Sequence, residues 1–218
     1  MRHQLSVAML GFVCVACPNP NTFTVPRTVP AGEVQHSLSV EAIGVVGGGE
    51  SAVAPTPPSY TARIGVADRF DVGLHLSHMT SLGADLKWNP VRSPGFDFAI
   101  DPGGQVFFIA ASTGSVFIYY LHAPLLLGIN ASESTTIVLA PGISMVGASA
   151  STDSTFSGSS ASDTAFMARA GIGIDIRTSK KFAIHPETTF LIPFEGNGGV
   201  IFLAGVGFNF GAMPNYTE

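Results

Sequence analysis

Charge is scarce in this chain: only 11% of its 218 residues are charged, while 46% are hydrophobic. An ordinary soluble domain carries about 25% charged residues. Also missing is any unbroken apolar run of ~18 residues, the length a helix needs to cross a bilayer, so helical spans are excluded. Cysteine is nearly absent. The two present, Cys14 and Cys17, both lie near the start, which leaves no disulfide framework for the rest of the chain. The net charge of -5 is mild and no basic patch exists, so nothing points to nucleic acid as a partner. An apolar chain without helical spans has one remaining way to cross a membrane, the closed β-barrel, because backbone groups in hydrocarbon must all be paired internally.

What the chain does have is alternation. Phe70, Val72, Leu74 and Leu76 interleave with Asp71, Gly73, His75 and Ser77, and the same beat returns along most of the sequence. Side chains of a strand point to opposite faces with period two, so each segment has one apolar and one polar or small face. Repeated in a chain that starts with an export signal, the pattern predicts an all-β fold, a closed antiparallel up-and-down transmembrane barrel of about ten strands, with 8 or 12 as the other even counts. A soluble β-sandwich is the structural rival, since a sheet with one buried face alternates in the same way.

Residues 1–16 read as a signal peptide: Met1, Arg2 and His3, then a short apolar stretch from Leu5 to Ala16. The order Cys14-Val15-Ala16-Cys17 resembles a bacterial lipobox, although Cys14 stands where Leu is usual, and the resemblance implies acylation at Cys17. The other reading is that both cysteines belong to a discarded leader. Residues 17–31, with prolines at 18, 20, 26 and 30, read as a stiff extended tether that cannot join a sheet, a spacer ahead of a single barrel domain over 32–210. Residues 211–218 form a short tail.

The strands follow one another with turn signals between them. Short turns are expected near Ala67, Pro90, Asn130 and Thr178, all on the periplasmic side. Longer loops are expected outside, from Gly47 through Pro58 and in the Ser-rich stretch from Ala148 to Ser162. Around Pro102-Gly103-Gly104 the pattern breaks, which fits one kinked strand from Phe96 to Ala110 or, alternatively, a separate hairpin. Phe70, Trp88, Phe96, Phe182, Phe208 and Phe210 fall on lipid faces near periplasmic strand ends, where an interfacial girdle belongs.

In the last strand, Gly205, Phe208 and Phe210 resemble the C-terminal targeting signal of outer-membrane barrels, although Leu203 stands where a polar residue is preferred and the chain continues past Phe210. From about Gly32 to Phe210 the chain resembles small outer-membrane β-barrel proteins of Gram-negative bacteria. That resemblance implies outer-membrane lipid and the barrel-assembly machinery as partners, and it transfers no functional residue.

The polar faces would gather Glu41, Arg63, Asp71, His75, Asp85, Lys87, Asp97, Asp101, Arg169, Asp175, Arg177, His185 and Glu187 in the lumen. A barrel of this size is narrow, and buried charge is tolerated only when paired, so these groups are expected to pair across the bore and hold it shut. His75 and Ser77 resemble the His-x-Ser of outer-membrane lipid A deacylases, but alternation sends both inward, away from lipid. No acid cluster with a His-Asp pair, as omptin-type proteases need, stands in the loops. His36, His78 and His122 lack metal-ligand spacing, and no cofactor is expected. The sequence therefore predicts a non-enzymatic outer-membrane barrel with a structural or surface-interaction role. The alternative is a narrow transport barrel for small or apolar solutes, and a third, less favoured reading is a lipid-modifying outer-membrane enzyme built on His75 and Ser77.

Overall fold

The computed structural model describes residues 19–47, 50–111, 114–152, 159–195, 199–214 and 216. Both cysteines, and with them acylation at Cys17, lie outside the described residues. Twelve β-segments follow in chain order: β1 (Val34–Gly47), β2 (Glu50–Pro55), β3 (Ser59–Ala67), β4 (Phe70–Ser77), β5 (Ser81–Arg92), β6 (Phe96–Ile100), β7 (Gly103–Ala111), β8 (Gly114–Ser132), β9 (Thr135–Thr152), β10 (Ser159–Ser179), β11 (Phe182–Pro193) and β12 (Val200–Gly211). β2 and β3 are successive pieces of one strand: β3 pairs with the first half of β1 and β2 with its second half. β6 and β7 share a strand in the same way, each pairing with both β5 and β8. The kink at Asp101-Pro102 thus lies within one strand and opens no hairpin. Pairing of β1 with β12, from Gln35↔Gly211 to Val46↔Val200, closes ten antiparallel strands into a cylinder.

Period-two alternation sets the two faces of the wall. Leu38, Val40, Leu74, Leu86, Ile172 and Ile192 are exposed on the outside, while Glu41, Asp71, Asp85 and Arg169 are buried inside. This is the reverse of a soluble sandwich, whose apolar faces would meet in a dry centre. Aromatic rings gather outside at the end where both chain termini of the barrel lie. Phe70 and Trp88 stack with centroids 6.2 Å apart, and His36 stacks between Tyr60 and Phe210 at 5.9 and 5.4 Å. That end carries the short turns and faces the periplasm.

The outer loops are shorter than the sequence predicts. Glu50–Pro55 continues the ladder with β1, and Ala148–Thr152 pairs with Ser159–Asp163, because a facing strand supplies backbone partners even to Ser- and Gly-rich segments. The wall is uneven in height. β10 has 21 residues and β4 only 8.

The largest departure concerns residues 19–30, expected as a spacer outside the barrel. They form no strand, as their prolines predict, but they run inside the bore. Phe23, Val25 and Val29 are buried there, with Val29 wholly so. The segment leaves the bore through a bend at Pro30–Gly32, where Gly32 N donates to Gly65 O at 2.8 Å and Ala31 bridges Gly65, and the chain then turns back up the wall as β1. Gly65 is required at this crossing. A Cβ there would stand 2.1 Å from Pro30 O and 2.5 Å from Val29 O.

Candidate functional site

The bore and the segment inside it form one polar assembly, built in layers from the periplasmic end. At the base, Asp97 accepts from Arg27 Nε at 2.9 and 3.1 Å and from Asn130 Nδ2 at 2.7 Å. Arg177 donates to Asp175 at 2.7 Å, to Thr136 Oγ1 at 3.0 Å and to Glu133 O at 3.0 Å. The tail folds beneath this layer. Ala212 N donates to Val34 O, and the Tyr216 ring lies 3.8 Å from the Arg177 guanidinium and 4.5 Å from that of Arg27, both within cation–π range. Beside the tail, a cleft of about 580 Å³ opens between Glu133, Arg177, Lys180 and Tyr216.

In the next layer Arg63 binds Asp71 at 2.5 Å, Asp85 at 2.8 Å and, more loosely, Asp101 at 3.5 Å. Lys87 is fully buried, 3.2 Å from Asp71, and donates upward to Thr24 Oγ1 and Val25 O, each at 3.0 Å. Asp71 also accepts Val29 N at 2.9 Å, so one carboxylate ties a strand arginine, a strand lysine and a backbone amide of the segment. His75 is hydrogen-bonded to Asp85 through Nε2, and its Nδ1 lies 3.0 Å from Thr61 Oγ1. Ser77 is buried nearby, and among the described residues no hydrogen bond joins it to His75. His185 is fully buried, its Nδ1 3.3 Å from Asp175 and its Nε2 3.6 Å from Glu187.

Higher in the bore the wall holds the segment mainly through carboxylates. Glu187 accepts Thr22 N at 2.9 Å and Phe23 N at 2.6 Å, and Arg169 donates to Pro20 O at 2.7 Å. Glu41 accepts both Asn19 Nδ2, at 2.5 Å, and Asn21 Nδ2, at 2.8 Å. Gln105 and the Asn19 backbone exchange two bonds, at 2.7 and 2.9 Å. Gly207 leaves room for Phe23, whose Cβ lies 2.8 Å from where a Cβ on Gly207 would stand.

All thirteen residues named from the sequence for the lumen face the bore. Their pairing is more local than expected. Arg63 meets acids on nearby strands, Arg177 meets Asp175 on its own strand, and Glu41, Asp97 and Glu187 turn to the segment and not to cations across the bore. Sequence reasoning missed Arg27, Asn19, Asn21 and Gln105. The available signal was a run of Asn and Thr side chains between prolines, more hydrogen-bonding capacity than a plain spacer requires. In β12, Gly205 faces inward opposite Glu41, while Phe208 and Phe210 face outward. Among the described residues no three His, Cys, Asp or Glu side chains come together as a metal site.

No protein-family profile matches the chain, and no curated protein matches it. Solved structures similar to it are outer-membrane barrels. The outer-membrane protease OmpT from Escherichia coli is 7% identical, covering 84% of this chain and 98% of that one, with a TM-score of 0.48. Ail, the attachment invasion locus protein of Yersinia pestis, is 14% identical over 83% and 99%, with a TM-score of 0.46. Neisserial surface protein A is 11% identical over 81% and 96%, with a TM-score of 0.42. Identities this low concern the fold alone. A closed antiparallel cylinder of ten strands, apolar and aromatic outside and ionic within, is a bacterial outer-membrane β-barrel, and the bilayer it spans is the outer membrane.

Proposed function

We propose that this protein is a plugged, non-conducting and non-enzymatic outer-membrane barrel whose role is structural or in surface interaction at its outer rim. The observation that supports this most directly is the burial of residues 19–30 in the bore, where Glu41, Asp71, Asp97 and Glu187 bind them. A bore filled along its axis by backbone and ion pairs has no water column through which ions could pass. Function then falls to the outer rim. β8, β9 and β10 dominate it, with β10 roughly 40 Å longer than β4 along the strand at ~3.3 Å per residue.

Single-channel recording tests the proposal. The refolded chain should give a flat trace in planar bilayers, and deletion of residues 19–30 should give steps. Open steps from the intact chain would instead support the narrow transport barrel.

A further inference from the structure

The segment in the bore has a direction. From the bend at Pro30–Gly32 its contacts climb the wall against chain order: Arg27 at Asp97, Val25 at Lys87, Thr22 and Phe23 at Glu187, Pro20 at Arg169, and Asn19 at Glu41 and Gln105. β1 starts at the periplasmic end, yet the chain that leads into it comes down from the outer side. Asn19 is the outermost point of the segment, and the plugged bore separates the chain ahead of it from the periplasm.

The wall beside Asn19 is low. β4 and β5 end at Ser77 and Ser81, joined by the turn His78–Thr80. On one side of this hairpin β2 rises paired, among the described residues, with β1 alone, and on the other Phe107–Ala111 of β7 rise paired with β8 alone. Two strands are thus missing above the turn, which leaves a notch of three strand spacings, about 14 Å. Elsewhere the ladders run on to Val46↔Val200, Gly114↔Thr152 and Ser159↔Thr152.

Asn19 sits at the inner foot of this notch. Of its two holders, Glu41 accepts Thr56 N just below β2 at 3.0 Å, and its carboxylate lies 3.9 Å from His78 Nε2 in the turn. Gln105 faces Gly83 on β5, one residue below Leu82↔Val106, the highest pair between β5 and β7. The outer lip is apolar: Val53, Met79, Leu82 and Phe108 are 62–67% exposed, so hydrocarbon reaches the sill. Two residues of extended chain span at most about 7 Å, which bounds the distance of Cys17 from Asn19. A group on Cys17 therefore meets the outer leaflet across the sill, whereas the periplasmic leaflet lies beyond the length of the plugged bore.

We propose that the barrel delivers its own N-terminal end to the cell surface, the chain ahead of Asn19 passing outward through the notch between β2 and β7. Residues 17–18 are the occupant of the notch, and a lipid on Cys17 would rest against Val53, Met79, Leu82 and Phe108 in the outer leaflet. The N-terminal end then belongs to the surface that the outer rim presents. This inference rests on the plugged-barrel proposal, because only a filled bore fixes Asn19 where it is. Conductance tests the plug and the position of Cys17 tests the exit, so either can fail alone.

Two measurements on the full chain test the exit. On intact cells, an epitope inserted between Pro18 and Asn19 should bind antibody, while one added after Glu218 should bind it only after permeabilisation. In the refolded Cys14→Ser chain Cys17 is the one remaining cysteine. Pyrene on it and on Met79→Cys at the sill should give excimer emission at least tenfold above the pair made with Ile192→Cys on the far wall. Heat-modifiability on a gel checks that each variant folds, and Phe108→Cys replaces Met79→Cys if that one does not. An N-terminal epitope hidden until permeabilisation overturns the delivery. Equal excimer emission from the two pairs, as an exit through the open top would give, overturns the notch as the route.

Discussion

Glu187 offers the sharpest test of how the bore is held. Its two carboxylate oxygens accept the amides of Thr22 and Phe23 at 2.9 and 2.6 Å, and both donors lie inside the wall. Glu187→Ala removes the acceptor without supplying another, and each buried amide left unpaired costs about 1–3 kcal/mol, so the plugged state should lose about 2–6 kcal/mol. The outer face and the backbone ladder are untouched. The loss should therefore appear as release of the segment and not as loss of the barrel. Hydrogen exchange reads this directly: protection of the Thr22 and Phe23 amides should fall by about 30-fold to 10⁴-fold at about 1.4 kcal/mol per decade, while the amides of β4 and β10 hold theirs. Glu187→Gln keeps one accepting oxygen and should lose about half as much free energy. Equal protection of both amides in Glu187→Ala and in the parent chain would falsify the claim that this carboxylate holds the segment in place.

Two other perturbations probe the same architecture from different sides. Gly65→Ala puts a methyl group into the Pro30 and Val29 carbonyls, both backbone atoms, so the bend at the base must shift. An overpacking cost of about 1–3 kcal/mol is expected, seen as faster proteolysis of the N-terminal segment in a barrel that still shows heat-modifiability; an unchanged cleavage rate would contradict the crossing. Leu74→Arg places a charge on the outer face of β4, where Leu74 is 51% exposed. In refolding titrations into lipid vesicles it should cost about 2–4 kcal/mol, as a mid-bilayer cation does, and a cost near zero would mean that this face does not meet hydrocarbon.

The wall was legible in the sequence because its signal is local. Leu74 and His75 differ in polarity and are neighbours, so period two alone assigns one to lipid and the other to the bore, whatever the rest of the chain does. Closure was legible too, since an apolar chain without a helical span leaves few other solutions. The position of residues 19–30 was not, because nothing within that stretch decides it. Its prolines do exclude a strand, but whether an extended segment stays outside or fills a bore depends on acceptors at Asp71, Asp97 and Glu187, up to 165 residues away. The same limit applies to the charges. Alternation brought Arg63, Asp85 and Glu187 to one interior, while the choice of partner among several candidates within reach is a matter of register and side-chain length. The inward apolar positions high in the bore were hidden for a further reason: Ile43, Phe107 and Leu191 lie in strands whose other face is apolar as well, so the beat fades there.

The bend at Pro30–Gly32 constrains the order in which this molecule can be built. Residues 19–30 and β1 are joined there without slack, and the space they occupy is bordered closely by the buried wall side chains Lys87, Arg63 and His185, which leaves little passage for threading them into a finished cylinder. The geometry favours a sheet that wraps around residues 19–30, with the seam between β1 and β12 closing after them. Assembly of this barrel is therefore an act of enclosure, and whatever reaches the nascent N-terminal stretch before the seam closes competes with the barrel for its own interior.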